Sequence, residues 1–305
     1  MRKILAVLFW LLPIMCISGC ISDLSFLPFF GPQTTQYEND VIVIKSLQAL
    51  PAKVAPGQST KIVAWVENRG STKIDDVKVE LYDWCEGTWS LTSNKENTIS
   101  LLPKETKQIE WMLTASKGIK FATTCPEGGF KIKATYNYTT TSYSTIEFID
   151  YTEMQARLSA GTYRPSPGAL TLGFGPVKPI LTTQEQQPIP VDPKNRQPFT
   201  AILTIENRGS GFVKDNTIST DNINFSTTSQ RSDAENITKK LNECKKKWGE
   251  NKIIRLIQER TSLLVCENIT PLNFQQPTIS MSITTNVSYE YEFRAQVPVT
   301  IEPAI

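Results

Sequence analysis

Apolar and polar residues alternate in short runs over most of this chain, which is the period of two that a half-buried strand imposes. In "KIVAWVENRG" (Lys61 to Gly70), Ile62, Ala64 and Val66 alternate with Val63 and Trp65. Val41 to Ile44 form an earlier run, and Val77, Val79 and Leu81 share one face of "DDVKVELYDW". "TISLLPKETKQIEWML" predicts two strands separated by Pro103-Lys104, and "FKIKATYNYTTTSYSTIEFI" predicts a closing hairpin. Six or seven such strands over residues 40–150 predict a β-sandwich.

Residues 151–168 contain Pro and Gly and predict a linker, after which the order begins again. "ALTLGF" predicts a first strand, "QQPIPVDPKNRQPF" a long turn, and Ala201 to Glu206 the counterpart of the run ending at Glu67. Both runs end in Glu-Asn-Arg-Gly, 139 positions apart, and Asn and Gly are residues that tolerate the positive φ of a tight turn. A second register aligns Tyr136-Asn137-Tyr138-Thr139 with Thr285-Asn286-Val287-Ser288 at an offset of 149, placing Asn137 and Asn286 at matching hairpin tips. Two elements repeating in the same order indicate duplication. The expected fold is all-β: two tandem immunoglobulin-like sandwiches, residues 40–150 and 169–305.

The second half carries the one helical pattern, near residues 232–248. Ile237, Leu241, Cys244 and Trp248 share a face there, Ser232 or Asp233 can cap its start, and Gly249 suits its end. "KIIRLIQERTSLLVCENI" after it predicts a hairpin turning at Glu259 to Ser262.

The first residues change the picture from fold to location. Arg2 and Lys3 precede an apolar run to Ile17 and then Ser18, Gly19 and Cys20, so residues 1–19 read as a secretory signal. Ile17-Ser18-Gly19-Cys20 resembles the lipobox of prokaryotic lipoproteins, which implies lipidation of Cys20, a tether over 20–39 and a place on the extracytoplasmic face of the cell membrane. A small-residue cleavage site with an incidental cysteine, or a retained helical anchor, are the alternatives. "LSFLPFF" (Leu24 to Phe30) is either a second anchoring signal or a segment packed on the first domain.

Beyond Cys16 and Cys20, four cysteines remain, and in an exported chain an even number favours disulfides. Pairing within domains joins Cys85 to Cys125 and Cys244 to Cys266. Removing Arg2 and Lys3 from 32 basic residues leaves 30 against 30 acidic ones, a balance without the cationic footprint of a nucleic-acid binder. Lys245-Lys246-Lys247 is a local exception of the kind a solvated helix face carries.

The chain has no histidine, which excludes Ser-His-Asp and Cys-His catalysis and histidine-bound zinc. Asp75-Asp76 and Glu86 form no glycosidase pair by pattern, since neighbouring strand carboxylates point to opposite faces. Asp215, Asn216, Asp221 and Asn222 follow no known calcium-loop spacing. No catalytic residue, metal or cofactor is therefore expected. Trp84 and Trp89 flank Cys85, and exposed indoles stack on sugar faces, so these two are the candidate ligand platform. Five Asn-x-Ser/Thr sequons occur, with Asn137 and Asn286 the candidates for glycosylation.

"LPAKVAPGQSTKIVAWVENRGSTKIDDVKVELY" resembles the CARDB-like adhesion-related modules of archaeal and bacterial surface proteins, and Phe199 to Val213 does so more weakly. The resemblance implies surface interaction and carries no catalytic residues. The function expected is a non-enzymatic cell-surface lipoprotein that binds a protein or glycan of the envelope as an adhesion or interaction scaffold. A carbohydrate-binding lipoprotein serving a transporter or surface enzyme, and an envelope-assembly subunit docking through its helix, are the alternatives.

Overall fold

The alternating runs do form strands, and the computed structural model describes residues 38–125, 128–229 and 231–302. In the first half these are β1 (Ile42–Leu50), β2 (Lys53–Val54), β3 (Ser59–Asn68), β4 (Ile74–Asp83), β5 (Trp89–Leu91), β6 (Glu96–Leu101), β7 (Thr106–Ala115), β8 (Thr123–Thr124) and β9 (Phe130–Asp150). Helix α1 (Tyr151–Ser159) follows, then β10 (Leu170–Leu172), β11 (Val177–Thr183), β12 (Ile189–Val191), β13 (Phe199–Asn207), β14 (Phe212–Val213), β15 (Thr217–Ser219) and β16 (Ile223–Thr227). Helix α2 (Ser232–Cys244) precedes β17 (Ile253–Arg255), β18 (Leu264–Ile269), β19 (Thr278–Val297) and β20 (Thr300–Ile301). The signal segment, Cys20 and the tether up to residue 37 lie outside the described residues.

The expected closing hairpins are replaced by something longer. β9 and β19 are each a single strand, and they pair with each other antiparallel from Phe130↔Val297 to Ile149↔Thr278. Thr139 faces Ser288 in that register, and these are the residues equated by the 149 offset. In an antiparallel pair, equivalent residues face each other only across a local twofold axis, so the two halves meet about such an axis between Thr139 and Ser288. β4 then adds to the first half of β9 and β16 to the first half of β19, on opposite edges of the ribbon. The full order is β14-β19-β9-β4-β6, with β10 and β12 also on β9.

One face of this ribbon makes the core. Even-numbered β9 residues such as Phe130, Ile132, Tyr136 and Phe148 are buried, as are the odd-numbered Ile283, Val287, Tyr289 and Tyr291 of β19. Two smaller sheets, β1-β3-β7-β5 and β11-β13-β18, supply the opposing layer. The packing is crossed: β1 of the first half lies against β19, and β11 of the second half lies against β9. β20, near the end of the chain, pairs with β2 and β8 of the first half. Tandem sandwiches joined by a linker would keep their sheets separate, whereas here the described chain forms one compact sandwich-like unit around a shared sheet. The linker expected over 151–168 begins as α1, whose start is capped by the Asp150 carboxylate accepting from the Thr152 and Glu153 amides at 2.9 and 3.2 Å.

The repeated tetrapeptide ends an equivalent strand in each half by a mechanism other than positive φ. Neither Gly70 nor Gly209 is left-handed. The asparagine side chain turns the chain instead: Asn68 Nδ2 donates to Thr72 O and its Oδ1 accepts from the Gly70 amide, at 2.8 and 2.9 Å. Asn207 repeats this with Gly211 O and the Gly209 amide, at 2.8 and 3.1 Å.

Three other expectations change. "ALTLGF" yields β10, which pairs with β9, while the strand that opens the second half's small sheet is β11. The long turn expected at "QQPIPVDPKNRQPF" contains β12, parallel to the end of β9. β17 and β18 form no hairpin together, because β17 pairs with β15 and β18 with β13. The helix does form, with Ile237 and Leu241 buried and Lys245–Lys247 closing it as a 3-10 turn. Asn242 fastens it to β16, donating to Phe225 O and accepting from the Phe225 amide.

Candidate binding face

The four cysteines pair as their count and placement predict. Cys85 joins Cys125 and Cys244 joins Cys266, with Cα atoms 5.9 and 5.5 Å apart. The second bond staples α2 to β18. Closing chain segments of 40 and 22 residues stabilises by about 3–4 kcal/mol each in the loop-entropy account.

The tryptophan platform does not assemble. Thr88 and Trp89 donate their amides to Cys85 O, reversing the chain, and β5 then joins β7, which turns Trp89 into the core. Its ring meets Phe130 edge-on at 5.1 Å, and it is 2% exposed, so it presents no face to a sugar. Trp84 is half-buried, with Lys95 Nζ 5.6 Å from its ring centre. The lysine run is divided, since Lys245 Nζ donates to Ile223 O while Lys246 and Lys247 are exposed. Helix α2 turns its apolar face inward, leaving polar residues outside.

The carboxylates singled out in the sequence stay apart. Asp75 pairs with exposed Lys73, and Asp221 with Lys252 at 3.4 Å. Asp215 and Asn216 occupy a left-handed turn. Among the described residues no three acids or cysteines converge as a metal site.

What the topology does bring together is the outer face of the β9–β19 ribbon, covered by neither small sheet. At the twofold axis, Thr139 and Ser288 hydroxyls lie 2.7 Å apart. Around them opens a cleft of about 650 Å³, lined among others by Thr72, Asn137, Asn222, Ser288 and Glu290. Its walls are pseudo-symmetric, because the start of β4 flanks one side and the residue before β16 the other. Asn137 is exposed on this face, mid-strand and not at a hairpin tip. Asn286 is also mid-strand, half-buried, and accepts the Thr141 hydroxyl at 2.7 Å. Asn224 of a third sequon lies directly opposite Asn286 in the β16–β19 ladder.

Toward the start of β9 the face becomes charged. Glu80 of β4 takes Lys95 and Lys133 at 2.8 and 3.1 Å, and Glu292 of β19 takes Arg294. Burial works to raise the Glu80 carboxyl, but the hydrogen bonds from the two lysines outweigh it and hold its pKa below the ordinary value. Lys131 pairs with Asp83 at 3.1 Å. On the same side of the axis, opposite Asn137, Glu290 holds Lys214 at 2.8 Å and raises its pKa.

None of these outer-face groups was singled out from the sequence, although alternation in "FKIKA" and "YEFRAQ" puts Lys131, Lys133 and Arg294 on polar positions. The fold and face define a disulfide-bonded, mostly β protein with a broad polar surface on a shared sheet. No protein-family model matches the chain, and no curated protein matches it.

Proposed function

We propose that this chain is a non-enzymatic lipoprotein of the cell surface, anchored through lipid on Cys20 at the extracytoplasmic face, that uses its shared sheet as a scaffold to bind another component of the envelope. The observation that carries the reading is the outer face of β9 and β19: twenty consecutive register pairs hold it together, and its side chains are mainly hydroxyl, amide and charged groups, exposed or half-buried. Two disulfides support an oxidising compartment. The lipobox-like Ile17 to Cys20 and the CARDB-like pattern of the first half agree with a surface role.

Carbohydrate binding in the service of a transporter or surface enzyme is the second reading. The cleft at the twofold axis, lined by hydroxyl and amide groups together with Ile74, Tyr138, Tyr289 and Glu290, favours it in place of the tryptophan pair. Affinity purification from native membranes with mass spectrometry tests both, with crosslinking from a cysteine placed at Asn137. Lipid on Cys20 and a recovered envelope protein or glycan are expected. An unmodified Cys20 with no crosslinked component, or saturable turnover of a substrate in a hydrolase panel, overturns the reading.

A further inference from the structure

Arg294 of β19 stands directly opposite Lys133 of β9 on the outer face. Like charges in that position repel across a ladder unless something compensates them. Two rings hold the arginine: its guanidinium carbon is 5.3 Å from the centre of Phe212 and 5.8 Å from that of Tyr82. Phe212 comes from β14 and Tyr82 from β4, strands on opposite sides of the β19–β9 pair, so the guanidinium lies between them. Lys133 Nζ approaches Tyr82 at 5.6 Å.

Stacking of this kind fixes a planar guanidinium while leaving its in-plane donors available. Glu292 accepts from Arg294 Nε, and among the described residues no acceptor holds the two terminal nitrogens. Beside them opens a pocket of about 330 Å³ lined by Tyr82, Lys131, Arg294, Ala295 and Gln296. The Tyr82 phenol and the Gln296 amide line it beside the two terminal nitrogens of Arg294, with Lys131, paired to Asp83, also in the lining; the arginine fork matches one planar anion held in bidentate fashion.

From this geometry we infer that the Arg294 pocket binds the carboxylate of an acidic glycan, a chain carrying uronate-type sugars. The inference rests on reading the outer face as the binding face. Two observations favour a sugar acid over a peptide terminus. Capture of a peptide carboxylate uses backbone N–H nests, whereas the amides of β9 and β19 are committed to the ladder. Phe212 is 44% exposed and offers an apolar face to pyranose C–H groups beside the cation, and the hydroxyl and amide side chains continue along the ribbon.

The test is calorimetric titration of the full chain in detergent with trigalacturonate, its methyl ester and a tripeptide bearing a free carboxylate. Trigalacturonate is expected to bind, with esterification and Arg294→Gln each weakening it about tenfold or more. Phe212→Ala, at an exposed edge position, should weaken it about threefold or more without altering the thermal midpoint, which keeps the test valid if Arg294→Gln unfolds. Absence of binding to trigalacturonate, equal binding of its ester, or tighter binding of the tripeptide overturns the inference. If trigalacturonate fails while crosslinking from Asn137 still captures an envelope component, the inference falls and the scaffold reading stands. If it binds while nothing is captured in native membranes, the scaffold reading falls and the site remains.

Discussion

The turn at Glu67–Gly70 and its copy at Glu206–Gly209 share their internal hydrogen bonds and differ in nearly everything around them. In both, the arginine amide donates to the strand across the small sheet, Arg69 to Val41 O and Arg208 to Pro176 O, each at 2.7 Å. The first turn is local: Asn68 Nδ2 also donates to Leu101 O and Leu102 O in the neighbouring β6–β7 connection. The second is a junction of both halves. Tyr291 of β19 donates its hydroxyl to Asn207 Oδ1 at 3.0 Å and accepts the Gly211 amide, while the Asp40 carboxylate, from just ahead of β1, accepts the Ser210 amide. Asn39 Nδ2 adds a bond to Arg208 O at 3.2 Å. The same turn thus occurs twice, once where side chains of both halves converge on it and once held mainly by its own half.

The glycines should separate the copies most. A methyl group on Gly209 would fall within 3.0 Å of the Tyr291 hydroxyl, the Asp40 carboxylate and the Pro176 ring, whereas one on Gly70 would meet Asn68 Oδ1 at 3.1 Å and Val41 at 3.2 Å. Gly209→Ala is expected to destabilise by about 3 kcal/mol or more and Gly70→Ala by about 1 kcal/mol, read from denaturant midpoints. Equal losses would show that the two turns are equally crowded and undo the comparison.

The asparagines should come next, and here the copies should be alike in size and unlike in coupling. Removing either side chain leaves several buried carbonyl or amide groups unsatisfied, so Asn68→Ala and Asn207→Ala are each expected to lose about 2–3 kcal/mol. A double-mutant cycle with Tyr291→Phe should show coupling of about 1 kcal/mol for Asn207 and additivity for Asn68. Coupling for both would mean that the first turn also reports on the shared sheet.

Alkaline pH offers a milder probe of the second junction. Burial raises the Tyr291 phenol well above its ordinary pKa, and the Asp40 charge raises it further; burial likewise raises that of Tyr289. Below about pH 10 both are protonated in folded and unfolded chains, so the full stability is present there. Above it the unfolded phenols ionise first, and stability falls by up to about 1.4 kcal/mol per pH unit for each. Tyr291→Phe should therefore flatten the loss measured between about pH 10 and 12. An unchanged slope would exclude this junction as its source.

How much of this was legible follows from where alternation holds. β4, β7 and β13 could be read because their inward positions are mostly aliphatic or aromatic and their outward ones mostly polar, and β3 because its apolar run ends sharply at Glu67-Asn68. The pattern breaks in the middle of β9, where Thr140, Ser142 and Ser144 point inward and are buried. With polar residues on both faces, the segment reads as a turn, and the hairpin expectation followed. The offset of 149 nonetheless held the pairing, since Thr139 and Ser288 meet at the axis. The cysteine pairs were accessible from count and placement, but Trp89 was not, because its direction depends on β5 joining β7. The outer face combines Tyr82, Lys133, Phe212 and Arg294 from four strands spread over the whole chain, and no local pattern brings them together.

The arginine of the tetrapeptide should matter least to stability. Arg208 contributes its backbone to the junction, through the amide bond to Pro176 O and the carbonyl accepting Asn39 Nδ2. Its side chain is largely exposed and meets Glu206, which also receives Arg260. Surface pairs of this kind contribute little, and a second cation already serves the carboxylate. Arg208→Ala leaves every backbone bond in place and is expected to change the unfolding free energy by less than about 0.5 kcal/mol, against about 3 kcal/mol for its neighbour Gly209. A loss above about 1 kcal/mol would mean that the second turn is held by its ion pairs as well as by its crowding, and would assign the difference between the copies to charge.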